Sequence, residues 1–267
     1  MNDLVQEVVV FVERIWRTPF RFFQVLGEML ILLGGSTMWA LRPPFRFGLI
    51  FQQMDFIGVG SLPIILLVSV FVGGVFGLQT VEALRMFNAD GYVGSAVSLT
   101  LTREIAPVLT ALMVSGRAGS AMATELGSMR ITEQIDALAT LAVNPVQYLV
   151  VPRLIASTIM LPLLTLVFDV MGIVGAYIFA VQIKGVDAGV FIYNIRWFTD
   201  IADMGMGLIK AAVFGLALAL ISCHQGYNAS GGAKGVGVAT MRAVVISSVA
   251  VLMLDFAVTD VLMTVGM

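Results

Sequence analysis

The longest apolar stretch of the chain covers residues 148–183 and reads YLVVPRLIASTIMLPLLTLVFDVMGIVGAYIFAVQI. As a helix, these 36 residues would extend about 54 Å, which is more than one crossing of a hydrocarbon layer about 30 Å thick requires. The stretch therefore predicts either one long, bent helix that extends past the bilayer or two spans separated near Asp169 and Gly172. A single long helix is the preferred interpretation.

Four further stretches are apolar enough to cross a bilayer, and they lie at about 57–78, 93–115, 205–222 and 243–264. The first of them carries Gly73 and Gly77, whose GxxxG spacing allows another helix to approach closely. Composition indicates the same class of protein, because 59% of the 267 residues are apolar and only 12% are charged, whereas about 25% are charged in an average soluble protein. The sequence therefore predicts an all-α integral membrane protein with about five transmembrane helices.

Charge and cysteine content argue against several other functional classes. The net charge is −2, so no basic surplus points to nucleic acid as a partner. One cysteine, Cys223, and one histidine, His224, provide neither an internal disulfide nor a conventional zinc site. The segment GGAKGVG at residues 231–237 lacks the spacing of a P-loop and follows no strand. We therefore expect any ATP hydrolysis to occur on another chain. The sequence also shows no nucleophile paired with a base, so nothing in it indicates an enzyme.

Residues 1–44 differ from the predicted spans because they mix basic and aromatic side chains, among them Arg14, Trp16 and Arg17. This mixture predicts an interfacial helix or elbow in the headgroup region, and a poorly formed first span is the alternative. Residues 45–267 then form the transmembrane domain. With five spans, ten Arg and Lys residues lie near one face and three near the other. The positive-inside rule therefore predicts a cytoplasmic N-terminus.

A conspicuous segment between the second and third spans, residues 115–138, reads SGRAGSAMATELGSMRITEQIDAL. Its first part is rich in small residues, which allow close helix packing. Its second part, about 124–138, predicts a short amphipathic helix in which Met129 and Ile135 provide apolar contacts and Thr132 is a cap. A helix of this type between two spans can dock into a partner's groove; an ordinary solvated loop helix is the alternative.

Two ionisable residues, Arg103 and Glu104, lie inside the second predicted span. Such groups cost a few kcal/mol within a membrane unless they are paired or hydrated, so they indicate a functional site by default. Adjacent helical residues point about 100° apart, so the two need not pair with each other. A structural ion pair is the alternative. Asp169 and Asp255 also lie in apolar stretches, but no continuous proton relay emerges from their spacing.

The run LTREIAPV at 101–108, with GRAGSA at 116–121 and TELGSMRITEQIDAL at 124–138, resembles the signature of the MlaE (YrbE) family. These are permease subunits of ABC transporters that work with MCE proteins. The resemblance covers about residues 45–265, and further matching motifs are AVNP at 142–145, VPR at 151–153, LPLLT at 161–165, KGVD at 184–187 and LDF at 254–256.

The resemblance implies a homodimer in the bacterial inner membrane, with an N-terminal interfacial helix and about five spans in each subunit. Two ABC ATPase subunits are expected to dock on the segment 124–138, the coupling helix, and to hold the ATP and Mg²⁺, so no cofactor is expected on this chain. A periplasmic ring of MCE-domain subunits and an accompanying STAS-domain protein are further expected partners.

The same resemblance assigns roles to individual residues. A lipid cavity at the dimer interface is expected to be lined by Arg103, Glu104, Phe76, Leu84, Phe87 and Arg242. Contacts with the ATPase are expected from Glu125, Met129, Arg130, Glu133, Gln134 and Asp136. Plain packing is the alternative for the three apolar residues, and a positive-inside anchor is the alternative for Arg242.

The expected function is that of a permease in an ATP-driven transporter, which moves phospholipid or a similar amphiphile between the inner membrane and a periplasmic MCE protein. Its expected purpose is outer-membrane lipid asymmetry. One alternative is an ion-coupled secondary transporter that uses Arg103, Glu104 and Asp255, although the absence of an internal repeat disfavours it. The other alternative is a membrane scaffold that transports nothing.

Overall fold

The computed structural model describes residues 23–265, and this part of the chain is helical without strands. The α-helices are α1 (Phe23–Ala40), α2 (Phe47–Ile57), α3 (Leu62–Arg85), α4 (Val93–Thr100), α5 (Ala106–Val114), α6 (Ser120–Ile131), α7 (Gln134–Thr140), α8 (Val151–Tyr177), α9 (Ala188–Phe198), α10 (Ile201–Tyr227) and α11 (Gly232–Val265). Short 3₁₀ turns cover Val59–Ser61 and Asp90–Tyr92, and π-helical segments cover Leu101–Ile105, Ser115–Gly119, Val146–Val150 and Ile178–Ile183.

Many of these elements join end to end into long continuous helices, all of them apolar enough to span a membrane. They are Phe47–Arg85, Asp90–Ile131, Val146–Ile183, Ile201–Tyr227 and Gly232–Thr264. The five predicted spans are thus confirmed as helices, and the stretch 148–183 lies in one helix rather than two. The observed helices are longer than predicted because hydropathy marks only their apolar centres, whereas backbone hydrogen bonding continues into the polar ends.

Glycines bring two of these long helices into backbone contact. A Cβ on Gly73 would collide with the carbonyl oxygen of Gly172, and a Cβ on Gly77 would meet Ala176 at 3.1 Å. Helices α3 and α8 therefore run side by side in the same direction. The close approach predicted from Gly73 and Gly77 is confirmed, because only residues without large side chains fit at this contact.

The loops of the described chain lie at two ends of the bundle. We call the end with the loops 41–46, 132–145 and 228–231 the basal end, and the opposite end, with 86–89, 184–187 and 199–200, the distal end. Helices α8 and α10 are antiparallel, since Gly215 packs against Ser157 and Cys223 joins Leu149 in one apolar cluster.

Helix α1 contacts the basal end near both of its own ends. Glu28 Oε2 lies 3.1 Å from Nε2 of His224, and the side-chain amide of Gln147 donates to the carbonyls of Trp39 and Arg42 at 3.4 and 2.9 Å. Although α1 is long and apolar enough to be a sixth candidate span, these contacts are typical of a helix that lies along one face of the bundle. Residues 1–22, which contain Arg14, Arg17 and the first part of the predicted interfacial helix, lie outside the described residues.

The single amphipathic helix predicted at 124–138 is wrong. Helix α6 continues directly from the second span and ends at Ile131, and α7 begins at Gln134. Thr132 does not cap α7, because its hydroxyl donates back to the carbonyl of Ser128 at 2.8 Å. Instead, the chain turns at Glu133, whose φ of 59° is left-handed. Neither a glycine nor a proline lies at this position to predict such a turn.

Candidate functional site

The site begins with a local irregularity in the second span. Leu101–Ile105 is π-helical, a geometry found frequently at functional sites, and Pro107 follows it. Because proline has no backbone N–H, Pro107 cannot donate to the carbonyl of Arg103 as a regular helix would require. That carbonyl accepts instead from the ammonium group of Lys210 at 3.0 Å.

A glycine on α10 allows Lys210 to reach this position. A Cβ on Gly207 would collide with the carbonyl oxygen of Thr102, so the two backbones touch where the π-helical segment passes α10. Lys210 lies three residues further along α10, nearly one helical turn away. Its side chain is 0% exposed, and an ammonium group buried to this extent requires anionic partners.

Lys210 bridges two carboxylates from different helices. Its Nζ lies 2.6 Å from Oε2 of Glu104 and 3.1 Å from Oδ1 of Asp255 on α11. One cation therefore ties together the second, fourth and fifth long helices of the bundle after α1. Since two carboxylates share one ammonium group, this part of the site carries an excess of negative charge.

Arg103 pairs with a different carboxylate. Its Nε donates to Oδ1 of Asp203 at 2.7 Å, and Nη2 contacts the same oxygen. The other oxygen of Asp203 accepts the backbone N–H of Asp200 at 2.7 Å in a capping box that begins α10. The expectation that Arg103 and Glu104 need not pair with each other agrees with these contacts.

These five residues, Arg103, Glu104, Asp203, Lys210 and Asp255, form the ionic cluster. The members of the cluster differ in exposure, because Arg103 and Glu104 are 39% and 38% exposed while Asp203 is 5% exposed and Lys210 is fully buried. One positive and one negative side chain are thus accessible, and their partners Asp203 and Lys210 are buried. Such an arrangement can present a guanidinium group and a carboxylate to a polar headgroup without exposing the buried lysine.

The other residues predicted to line a lipid cavity make no polar contact with the ionic cluster in the described chain. Phe76 and Leu84 are partly buried and pack against the apolar core, and Phe87 is 78% exposed just after α3. Arg242 lies ten residues inside α11 rather than at its start and is exposed. Within residues 23–265, no hydrogen bond or ion pair joins these four residues to the ionic cluster.

Four of the six predicted coupling residues make ion pairs or apolar contacts, and the other two are exposed at the turn. Oε2 of Glu125 lies 2.7 Å from Nη2 of Arg153, and Arg153 is buried in α8, where its Nη1 also donates to the carbonyl of Leu149 at 2.6 Å. Arg130 Nη1 pairs with Oδ1 of Asp136 at 2.7 Å across the turn. Met129 packs against the apolar cluster that contains Leu149 and Cys223, the basal apolar cluster. Glu133 and Gln134 are exposed.

The family model described as "Permease MlaE" matches residues 50–261. The chain belongs to the MlaE permease family. The matched residues include most or all of each of the five long helices after α1, and every member of the ionic cluster. The described segment is a multi-pass membrane protein of this family, with six helices that could cross a bilayer.

Three related proteins illustrate the breadth of the MlaE permease family. A probable ABC transporter permease protein of Rickettsia bellii is 39% identical over 246 residues, which cover 92% of this chain and 95% of the relative. The intermembrane phospholipid transport system permease protein MlaE of Haemophilus influenzae is 38% identical over 263 residues, covering 97% and 100%. The chloroplastic protein TRIGALACTOSYLDIACYLGLYCEROL 1 of Arabidopsis thaliana is 35% identical over 230 residues, covering 86% and 66%.

Two members of the ionic cluster, Lys210 and Asp203, are missing from the sequence-based prediction. Lys210 could have been found, because it lies inside a predicted span and the rule that selected Arg103 and Glu104 applies to it equally. Asp203 also had a signal, since Asp200 and Asp203 have the spacing of a capping box before an apolar run. Membership of the MlaE family adds no residue assignment by itself; the contacts on α10 supply these two.

Other ionisable groups are isolated from the cluster. Asp169 is buried on α8, and its Oδ1 has no hydrogen-bond partner within residues 23–265. His224 contacts Glu28, in keeping with a structural role. Among the described residues, no group of three or more His, Cys, Asp and Glu side chains could hold a metal ion.

Proposed function

We propose that this chain is the membrane permease subunit of an ABC transporter that moves phospholipid, or an amphiphile with a similar headgroup, between the bacterial inner membrane and a periplasmic MCE protein. The observation that carries the proposal is the ionic cluster, in which accessible Arg103 and Glu104 lie over buried Lys210. The names of the Haemophilus and Rickettsia relatives support the substrate and the transporter class. The chain itself performs no covalent chemistry, and ATP and Mg²⁺ bind to a separate ATPase.

The headgroup is recognised by the accessible side of the cluster. Arg103 uses Nε and Nη2 for Asp203, which leaves the Nη1 donors for a phosphate oxygen. Glu104 complements an amine on a zwitterionic headgroup. Acyl chains contribute apolar contacts and no polar ones, so the ionic cluster alone distinguishes a lipid with an anionic or zwitterionic headgroup from a lipid with a neutral headgroup.

Coupling to the ATPase starts at the exposed residues around the turn between α6 and α7. Glu133 and Gln134 are available for a partner chain, while Glu125 and Arg153 connect the same surface to the interior of α8. A partner that displaces the turn therefore moves α8 as well. This arrangement supports docking of two ATPase subunits at the basal end, which then faces the cytoplasm.

A second copy of the chain covers the apolar face of α11 in the proposed homodimer. The large exposed apolar residues on this helix are Met241, Val245, Val249, Leu252, Met253, Phe256, Val261 and Met263. In the most apolar stretch of α11 only 11% of the residues are buried, compared with 61% in that of α10. The proposed MCE ring and STAS-domain protein complete the assembly.

The test is to purify a tagged copy from native membranes in mild detergent and to identify the accompanying proteins and lipids by mass spectrometry. We expect an ABC ATPase, an MCE protein and phospholipid enriched over bulk membrane. Glu133→Lys should reduce ATP-dependent lipid transfer in reconstituted vesicles, whereas Ala139→Lys, at another exposed position nearby, is the matched control. Recovery of the chain alone, with lipid no different from bulk, would contradict the proposal.

Ion-coupled transport is the second candidate, and the contact of Lys210 with both Glu104 and Asp255 is the observation in its favour. This candidate predicts lipid transfer that stops with an ionophore and persists without ATP hydrolysis. A scaffold that transports nothing predicts that Arg103→Gln and Glu104→Gln leave lipid transfer in cells unchanged. Measurement of transfer with an ionophore, and with an inactivated ATPase, separates the three functions.

A further inference from the structure

A cleft of about 210 Å³ lies between α1 and the first half of α8, near the basal end and separate from the ionic cluster. Its α1 wall includes Leu33, Ser36 and Ala40, and its α8 wall includes Leu154, Ile155 and Ile159. This space holds about seven methylene groups if each occupies about 30 Å³, the volume of one water molecule in the liquid. It is therefore too small for a whole two-chain lipid but large enough for a segment of one chain.

The cleft persists because α1 is fixed on both sides of it. The Glu28–His224 contact holds one part of the helix, and the Gln147 amide holds the other at the carbonyls of Trp39 and Arg42. The helix cannot move onto α8 without losing these contacts. An unfilled apolar space of this kind forfeits dispersion contacts along its lining.

Water is a poor occupant, because a bound water molecule needs two to four polar partners. The hydroxyls of Thr37 and Thr158, which line the cleft, already donate to carbonyls of their own helices. The Oγ of Ser36 is itself buried and has no hydrogen-bond partner within residues 23–265, so it offers no accessible donor to the cleft. The lining therefore suits an apolar chain.

Two arginines lie near the end of the cleft at Ala40. Arg42 stacks on the ring of Trp39 at 5.3 Å, and Arg46 stacks on the ring of Tyr148 at 4.6 Å. Tyr148 precedes Val151, another lining residue, by three positions. Neither arginine pairs with a carboxylate in the described part of the chain, so both guanidinium groups are available for a phosphate.

We infer that this cleft binds one acyl chain of a membrane glycerophospholipid, with the phosphate at Arg42 and Arg46. The bound lipid completes the contact between α1 and α8. It is a resident molecule, distinct from any lipid at the ionic cluster, so the inference does not rest on the proposed function.

The test uses the full chain in nanodiscs that contain a phosphatidylethanolamine with a photoreactive diazirine on one acyl chain. After irradiation, we expect cross-links on peptides that contain residues 33–40 and 151–159. Ala40→Phe fills the cleft and excludes the acyl chain, so it should reduce labelling of both peptides about tenfold, which corresponds to about 1.4 kcal/mol of binding free energy. Met38→Phe, at a position 51% exposed on α1 and outside the cleft lining, is the matched control. Equal labelling of the two variants would overturn the inference.

A second variant tests the headgroup contact without filling the cleft. Arg42→Gln with Arg46→Gln should lower labelling by the phospholipid probe severalfold and leave labelling by a diacylglycerol probe, which has no phosphate, unchanged. If both probes label the double variant as strongly as the unmodified chain, the phosphate assignment is wrong. Size-exclusion elution and thermal unfolding of each variant show whether it is folded.

Discussion

The two ends of the bundle use buried charge differently. In the distal half, the buried cation Lys210 is shared by two carboxylates from two helices, and Arg103 adds a third carboxylate through Asp203. At the basal end, the buried cation Arg153 has a single carboxylate partner among the described residues, Glu125, which is 54% exposed. The distal charges are therefore interdependent, whereas the basal pair is a simple link between a surface turn and the interior of α8.

This difference separates a binding site from a mechanical attachment. A shared cation with accessible partners can exchange one partner for a ligand group, because the remaining carboxylate still neutralises it. A one-to-one pair cannot release its partner without leaving an uncompensated charge. The following substitutions test this distinction, from the largest expected effect to the smallest.

Removal of the shared cation should have the largest effect. Lys210→Met leaves Glu104 and Asp255 facing each other without a counter-ion, and we expect it to lower the free energy of unfolding by about 3–5 kcal/mol. Denaturant unfolding in detergent measures the loss. Combining Lys210→Met with Glu104→Gln and Asp255→Asn should restore most of the stability but not lipid transfer. A triple variant as unstable as Lys210→Met would show that the charges are not the cause.

The basal pair should respond asymmetrically to loss of either partner. Glu125→Gln leaves buried Arg153 without its carboxylate and should cost about 3 kcal/mol. Arg153→Met leaves a carboxylate that water can solvate, so we expect a cost of only about 1 kcal/mol, mainly the lost hydrogen bond to Leu149. Thermal unfolding of the two variants side by side measures the difference. The reverse order would remove the contrast between the two ends.

The close approach of α10 to the π-helical segment should be sensitive to one methyl group. Gly207→Ala forces α10 away from Thr102 and separates Lys210 from Glu104, at an expected cost of about 2 kcal/mol. Gly205→Ala, two residues earlier on the same helix, meets nothing within 4 Å and is the control. Equal stability of the two variants in thermal unfolding would mean that the contact does not position the cluster.

The smallest expected effect is a gain in stability at the basal turn. Glu133 adopts a left-handed φ of 59°, which costs a residue with a Cβ about 1 kcal/mol relative to glycine. Glu133→Gly should therefore raise the unfolding temperature slightly while removing an exposed carboxylate from the proposed ATPase surface. An unfolding temperature below that of the unmodified chain would contradict this account of the turn.

Sequence reasoning predicted the helices of this protein better than their ends or their contacts. The five spans follow from apolar runs, and the close packing at Gly73 and Gly77 follows from residue size. The interruption at Glu133 could not be predicted, because neither glycine nor proline lies there and the amphipathic pattern continues through it. The turn arises from the way α6 extends the second span and α7 packs on the basal cluster.

Site prediction was limited in a different way. Arg103 and Glu104 were selected because charges are costly in a membrane, but their partners Asp203 and Lys210 are about a hundred positions away in sequence. Only the packing of α10 against the second span, through Gly207 and Thr102, brings these groups together. The predicted cavity-lining roles of Phe76 and Leu84 stay predictions, because a partly buried apolar residue on a helix can line a cavity or pack against the core.

The parallel helices Phe47–Arg85 and Val146–Ile183 contain 39 and 38 residues, so each is about 57 Å long and nearly twice as long as the hydrocarbon layer is thick. Backbone contact at Gly73 and Gly172 joins the two helices in their distal halves. Below this contact each helix has a place where it can bend, the turn at residues 58–61 between α2 and α3 and Pro162 within α8. We therefore expect the distal halves to move as one unit, while the basal halves tilt separately.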